Sequence, residues 1–344
     1  MTMQMNTALS ALKDGGKARG TGEQLEHRLS DVQGFLATDL EQVEEALREV
    51  AALGPNPAPQ AALHLVERGG KRVRPLALLL ANRCFSSHLE QATYEMASVV
   101  ELVHSATLLH DDVIDEGTLR RGAPTSRCLY GNGVSVLSGD LLLVQSLDRT
   151  ARHAPDLLGE LITTLRKLVE GEIVQLRGRT ELDASEQTYY QILELKTASL
   201  FSFATQAGAR LAGAPVRARE SLASFGHHLG LAFQLVDDVL DYSGQRNEKN
   251  LYADLLEGKM TLPLVLALKE DPHLLPLIEK IHGGDRAAVT EVSSRVLGTS
   301  ACETVRARAQ LCTAQALSAL SELPPSSARD FLRVVAEEMT GRGV

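Results

Sequence analysis

The chain has 344 residues, enough for one large domain or two ordinary ones, and 44% of them are apolar, which excludes disorder over most of its length. A net charge of -9, an aromatic content of 4% and the absence of tryptophan exclude the basic, base-stacking surfaces of nucleic-acid binders. An anionic small molecule remains open, because a local cluster of cations can hold phosphate within an acidic protein.

The first 22 residues are polar and glycine-rich and read as a flexible tail, with no continuous apolar core of the secretory type. No apolar run reaches the ~18 residues that would cross a bilayer. The four cysteines, Cys84, Cys128, Cys302 and Cys312, lie far apart without a CxxC pair and read as small buried hydrophobes in a reducing compartment. A cytoplasmic protein is expected.

Residues 25–53 carry apolar side chains at three- and four-residue spacing and predict a helix. The break GPNPAP follows, then a short helix over 60–68 closed by Gly69-Gly70. Pro75 fits the first turn of a helix running to about residue 85. Residues 90–115 form a long, strongly apolar helix, which implies burial on most sides. An arginine-rich loop spans 117–124. Helices are then predicted at 125–130, 134–153, 156–178, 185–211, 216–241, 259–270, 285–297, 300–321 and 326–341, with breaks at Pro155, Gly178, Gly213, Gly244 and Gly283-Gly284. No segment alternates apolar and polar residues convincingly, so the prediction is an all-α protein, with residues 23–344 in one domain.

Chemistry gathers at two acidic clusters. Asp111, Asp112 and Asp115 end the long apolar helix, and Asp237, Asp238 and Asp241 end another. Positions four apart share a helix face, so Asp111 and Asp115 point the same way and repel unless a cation lies between them. Carboxylates at a helix C-terminus also oppose the macrodipole, so two matching clusters there suggest a shared metal site. Hard oxygen donors without a Cys or His set suit Mg²⁺.

Basic groups accompany them. Lys71, Arg72 and Arg74 follow two glycines at a helix start, where free N–H groups favour an anion. Arg120-Arg121 stands just beyond the first acidic cluster, and guanidinium forks hold phosphate oxygens bidentately. Together these make the composition of a metal-bridged diphosphate site.

The motifs GGKRVRP, ELVHSATLLHDDVIDEGTLRRGAPT, Lys196-Thr197, GLAFQLVDDVLDYSG and DLLEGKMTLP follow one another in order over residues 60–270. In this the chain resembles the trans (head-to-tail) isoprenyl diphosphate synthases of the polyprenyl synthetase family. The resemblance implies an isoprenoid synthase-type helical bundle around a central cavity, usually a homodimer. It implies that Asp111, Asp112 and Asp115, with Asp237, Asp238 and Asp241, hold Mg²⁺ on an allylic diphosphate (geranyl, farnesyl or geranylgeranyl). Arg120, Lys196, Thr197, Gln234 and Lys259 match residues that contact that diphosphate. Lys71, Arg74, His104 and Arg121 match those around isopentenyl diphosphate, and Lys249 falls near a further lysine on that side. Transient membrane contact for product release is compatible with such a product. The stretch EKNLYAD at 248–254 departs from the family's usual glycine-lysine step, which bears on Lys249 and on closure over the site.

The resemblance also locates the cavity floor one or more turns before the first aspartates, at Val103, Ala106 and Thr107. Ala106 and Thr107 are small and share a flank with Val103, so the expected product is hexaprenyl to decaprenyl diphosphate; a geranylgeranyl or farnesyl diphosphate synthase is the alternative, since residues of other helices or of a partner subunit can close the cavity. A class I terpene cyclase would mix Asn, Ser or Thr into its second metal motif, and a non-catalytic partner subunit would lose one aspartate motif; neither matches.

Overall fold

The computed structural model describes residues 22–242 and 252–341, and almost all of them are helical. In chain order the helices are α1 (Gly22–Ala51), α2 (Ala58–Val66), α3 (Val73–Arg83), α4 (Gln91–Ile114), α5 (Ser126–Tyr130), α6 (Asn132–His153), α7 (Leu158–Glu181), α8 (Glu186–Leu193), α9 (Ser199–Leu211), α10 (Val216–Tyr242), α11 (Ala253–Leu256), α12 (Leu262–Glu270), α13 (Leu275–His282), α14 (Val289–Leu297), α15 (Ala301–Leu320) and α16 (Ser327–Gly341). The all-α expectation holds. No helix among the described residues is long and apolar enough to cross a membrane.

Several local expectations are corrected. The arginine-rich loop contains a small antiparallel hairpin, β1 (Leu119–Arg120) with β2 (Ala123–Pro124), turning through Arg121 and Gly122, both at positive φ. Helix α7 runs through Gly178 to Glu181, because one glycine costs only about 1 kcal/mol and packing overrides it. The single helix predicted over 185–211 is interrupted by a π-helical turn at Glu194–Ala198. Helices α11 and α13 were not anticipated; both are short, and short apolar runs carry little periodicity. The break at Gly244 lies outside the described residues. Cys84 and Cys302 are buried as expected, whereas Cys128 is exposed.

The residues group into two compact units. One comprises the chain to Leu165 with Leu200–Gly226 and Ala319–Glu338. Its centre is α4, where Met96, Val99, Val100, Leu102, Val103 and Ala106 are all inaccessible to solvent. Glycine permits close approaches between helices in this unit. A side chain at Gly139 of α6 would meet the His110 ring at 2.3 Å, and one at Gly208 of α9 would meet the Leu78 carbonyl oxygen of α3 at 2.2 Å. His110, held by the Val136 carbonyl oxygen at 3.0 Å, is a packing residue.

The other unit comprises Arg166–Ser199, His227–Ser318 and the C-terminal residues from Met339. Its core joins the end of α10 to α12–α15 through Leu235, Val239, Leu262, Ile278, Val292 and Val305. Burying this apolar surface outweighs the weak helix propensity of α11–α14, each under ten residues long.

Candidate active site

The first half-site lies in the α4 unit. Asp111 and Asp115 are half-buried one turn apart, while Asp112 is 2% exposed. The turn after α4 brings Arg120 of β1 back onto that buried carboxylate, with Nε at 2.8 Å and Nη2 at 2.7 Å from the same oxygen. Burial pushes the Asp112 carboxyl up and Arg120 opposes it. Gly117 donates to the Asp112 carbonyl at 2.9 Å, which closes the turn.

The basic motif divides its labour. Arg72 sits at positive φ and donates to Glu44 (2.6 Å), Glu101 (2.7 Å) and the Val66 carbonyl (2.9 Å). All that donor capacity is spent inside the protein. Lys71 and Arg74 flank it. Burial lowers Arg74 to about 10, with the Glu101 charge opposing. Its Cζ lies 4.5 Å from the centre of the Phe201 ring. Arg121 reaches back over the glycines, and a side chain at Gly70 would meet its Nη2 at 2.8 Å. Burial lowers Arg121 as well. His104 is held well below its usual range by burial and by Arg74, with Glu101 opposing and Arg121 and Arg120 adding to the fall, so it is neutral. Four of the predicted cation-side residues, Arg74, His104, Arg120 and Arg121, therefore share one electropositive neighbourhood.

The second half-site lies in the other unit. Asp237 is half-buried, and Asp238 beside it is 3% exposed. Tyr189 donates to Asp238 at 2.7 Å and Gln234 donates at 2.9 Å, while Thr197 donates to Gln234 at 3.2 Å. Burial and the nearby Asp254 push Asp238 up to about 7. Asp241, wholly buried, accepts the backbone N–H groups of Ala253 and Asp254 at 3.2 Å each and so caps α11. Lys259 lies 2.5 Å from Glu257 and 3.6 Å from Asp254. The π turn presents Lys196 to Glu172, with Gln175 at 3.4 Å. Lys249 lies outside the described residues.

The two motifs thus repeat one arrangement, with the first aspartate partly open and the second buried on protein donors. Glu101, Glu172, Gln175 and Tyr189 were missed in the sequence. A lone Glu three residues before His104 in an apolar run was a usable signal for the first; nothing marked Tyr189.

The donor set fits a divalent ion of the hard type. Among the described residues, no three His, Cys, Asp or Glu side chains are placed to hold a metal by themselves. Carboxylate oxygens of this kind hold an ion that keeps waters and shares substrate phosphates.

An all-α fold carrying two aspartate-rich half-sites with guanidinium and ammonium groups beside them has the chemistry to bind diphosphate esters with a metal. The polyprenyl synthetase family model matches residues 57–297. The chain is 36% identical to heptaprenyl diphosphate synthase component 2 of Geobacillus stearothermophilus, over 90% of this chain and 97% of that protein. It is 40% identical to the geranyl-diphosphate-specific all-trans-nonaprenyl-diphosphate synthase of Rhodobacter capsulatus, over 78% and 84%. The crystal structure of a Caulobacter crescentus polyprenyl synthase, complexed with calcium and isoprenyl diphosphate, superposes with a TM-score of 0.85 at 33% identity, covering 91% of this chain and 97% of that one. The chain belongs to the polyprenyl synthetase family, which depends on a divalent metal and uses allylic and isopentenyl diphosphates.

Proposed function

We propose that this prenyltransferase condenses an allylic diphosphate with isopentenyl diphosphate, head to tail, and releases diphosphate, extending the chain to hexaprenyl through decaprenyl length. The observation that carries the reading is the first half-site: two half-buried carboxylates one turn apart, beside a neighbourhood of Arg74, Arg120, Arg121 and neutral His104.

Asp111, Asp115 and Asp237 would hold Mg²⁺, which supplies charge neutralisation to the departing diphosphate. Asp112, Asp238 and Asp241 are buried on Arg120, on Tyr189 and Gln234, and on the α11 backbone, so their part is to fix the frame around Asp111, Asp115 and Asp237. Arg120, Lys196 and Lys259 stabilise charge developing on the leaving group, with Thr197 and Gln234 orienting it. Lys71, Arg74, His104 and Arg121 bind isopentenyl diphosphate. The carbocation formed when the allylic C–O bond breaks requires a dry apolar surround, which the buried flank of α4 offers. The attacking double bond forms the new C–C bond, and the released diphosphate takes the proton that is lost.

The long product is supported by the buried Val103 and Ala106, by the size of Thr107, and by the relatives' names. We also propose a cytoplasmic homodimer. Ile162, Val169, Ile173 and Leu176 recur along α7 at helical spacing and are 51%, 57%, 62% and 49% exposed, an apolar stripe suited to a second copy. The word "component" in one relative's name favours a second reading, in which a different subunit completes the enzyme. Purified protein incubated with farnesyl and isopentenyl diphosphates and Mg²⁺ tests all of this. Product of six or more isoprene units, lost with chelator and restored by Mg²⁺, is expected. Turnover that appears only on adding a second component supports the alternative, and products of four units or fewer overturn the length assignment.

A further inference from the structure

Arg72 and Arg74, two residues apart, solve burial in opposite ways. Arg72 spends its donors on Glu44, Glu101 and the Val66 carbonyl. Arg74 has a buried Nε with no hydrogen-bond partner, and its guanidinium lies over the face of Phe201. A guanidinium donates in its own plane, so a ring against its face orients the group without consuming any N–H.

We propose that Phe201 is a positioning residue for isopentenyl diphosphate: its ring sets the plane and direction of the Arg74 guanidinium while leaving the N–H edges open to the diphosphate. The proposal rests on the assignment of Arg74 to that substrate made above.

The ring is a fixed platform. Phe201 is fully buried on α9, and that helix is pinned from two sides. Gly208 lets it approach the Leu78 carbonyl of α3, the helix that carries Arg74. On the other side, Thr205 donates to the Leu222 carbonyl at 2.6 Å and Ser202 donates to the Ala223 carbonyl at 2.9 Å. A side chain at Gly226 would strike the Phe201 carbonyl oxygen at 2.4 Å, so α10 closes tightly behind the ring. Anchoring α9 to α3 on one side and α10 on the other leaves Phe201 little room to turn. A buried phenylalanine on an apolar helix would ordinarily serve as a cavity wall; here its face lies under a cation. The two roles make different predictions, since a wall acts on chain length or on the allylic partner and a platform acts on isopentenyl diphosphate.

The test measures steady-state kinetics with farnesyl and isopentenyl diphosphates varied separately, and calorimetric binding of isopentenyl diphosphate alone. In F201L the KM and Kd for isopentenyl diphosphate should rise roughly tenfold, the scale of a desolvated cation–π contact. The allylic KM and kcat should stay within about twofold of wild type. A ring-fluorinated phenylalanine at the same position, which keeps shape but weakens the ring's negative face, should give a graded loss. In an R74K background, F201L should add nothing further. F201M is the second variant if F201L does not fold. Unchanged isopentenyl diphosphate binding, an equal rise in both KM values, additive effects with R74K, or altered product length alone would each overturn the proposal. Absence of turnover in wild type would count against the assigned activity, while the binding series would still decide the role of Phe201.

Discussion

Arg120 closes two nitrogens on a single oxygen of Asp112, at 2.7 and 2.8 Å, and the hairpin that follows α4 is what returns it there. The Arg120 side chain is 32% exposed and that of Asp112 only 3%. Removing the carboxylate would therefore release a cation that water can partly rehydrate. D112A should cost about 1–2 kcal/mol, below the range for fully buried pairs. D112N keeps the shape but not the charge, and should lower kcat/KM for the allylic diphosphate by roughly tenfold or more through misdirected Arg120. Thermal melts and kinetics on the two variants check this, with isopentenyl diphosphate affinity nearly unchanged.

Glu101 gives a pH prediction. Burial alone would raise its carboxyl, but the charge and hydrogen bond of Arg72, with the Arg74 charge beyond it, reverse this and hold it at about 2 against an ordinary 4.5. A depressed carboxyl contributes stability that is fully present above its unfolded value and is lost as pH falls through the folded one. The window is from about pH 4.5 down to about 2, and the contribution is roughly 3 kcal/mol. His104, depressed from 6.5 and neutral in the fold, adds a loss that begins as pH drops below that value. Melting temperature should thus fall in two stages on acidification. E101Q should be destabilised near neutrality, with the lower stage flattened.

How much of this the sequence could carry depends on range. The aspartate motifs, the glycine–cation motif and Lys196-Thr197 are local strings, and helical spacing alone puts Asp111 and Asp115 on one face. The division of roles within each string is not local. Asp112 and Asp238 look identical to their neighbours until burial and donors from distant residues, Arg120 and Tyr189, separate them. Arg72 and Arg74 likewise look alike until Glu44 and Phe201 distinguish them. The π turn at Glu194–Ala198 was invisible because it keeps the apolar pattern of a helix and adds only a change of register.

That turn depends on Gly171. A side chain there would lie 2.7 Å from Lys196 Cγ and 2.8 Å from Leu195 Cβ. G171A should therefore be overpacked by about 1–3 kcal/mol and should displace Lys196 from Glu172. The expected result is a lower melting temperature together with a drop in kcat on the order of tenfold to a hundredfold, since small displacements of a charge-stabilising group are costly. Wild-type kcat in G171A would show that Lys196 tolerates either register.

On the proposed assignment, product length is set by the side chains along α4. Ala106 and Val103 are wholly buried, and Thr107 turns its hydroxyl back to the His104 carbonyl at 2.8 Å, so an apolar chain passing this flank meets a hydroxyl already satisfied. A106F puts a ring at that position. It should shorten the product, with the distribution read by mass spectrometry moving toward four isoprene units or fewer, while the first condensation proceeds near its wild-type rate. Overpacking at so buried a position costs about 1–3 kcal/mol. T107F, at a partly exposed site, is the companion variant if A106F is poorly folded. Unchanged length in a folded A106F would move the floor off this turn of α4 and onto side chains of other helices.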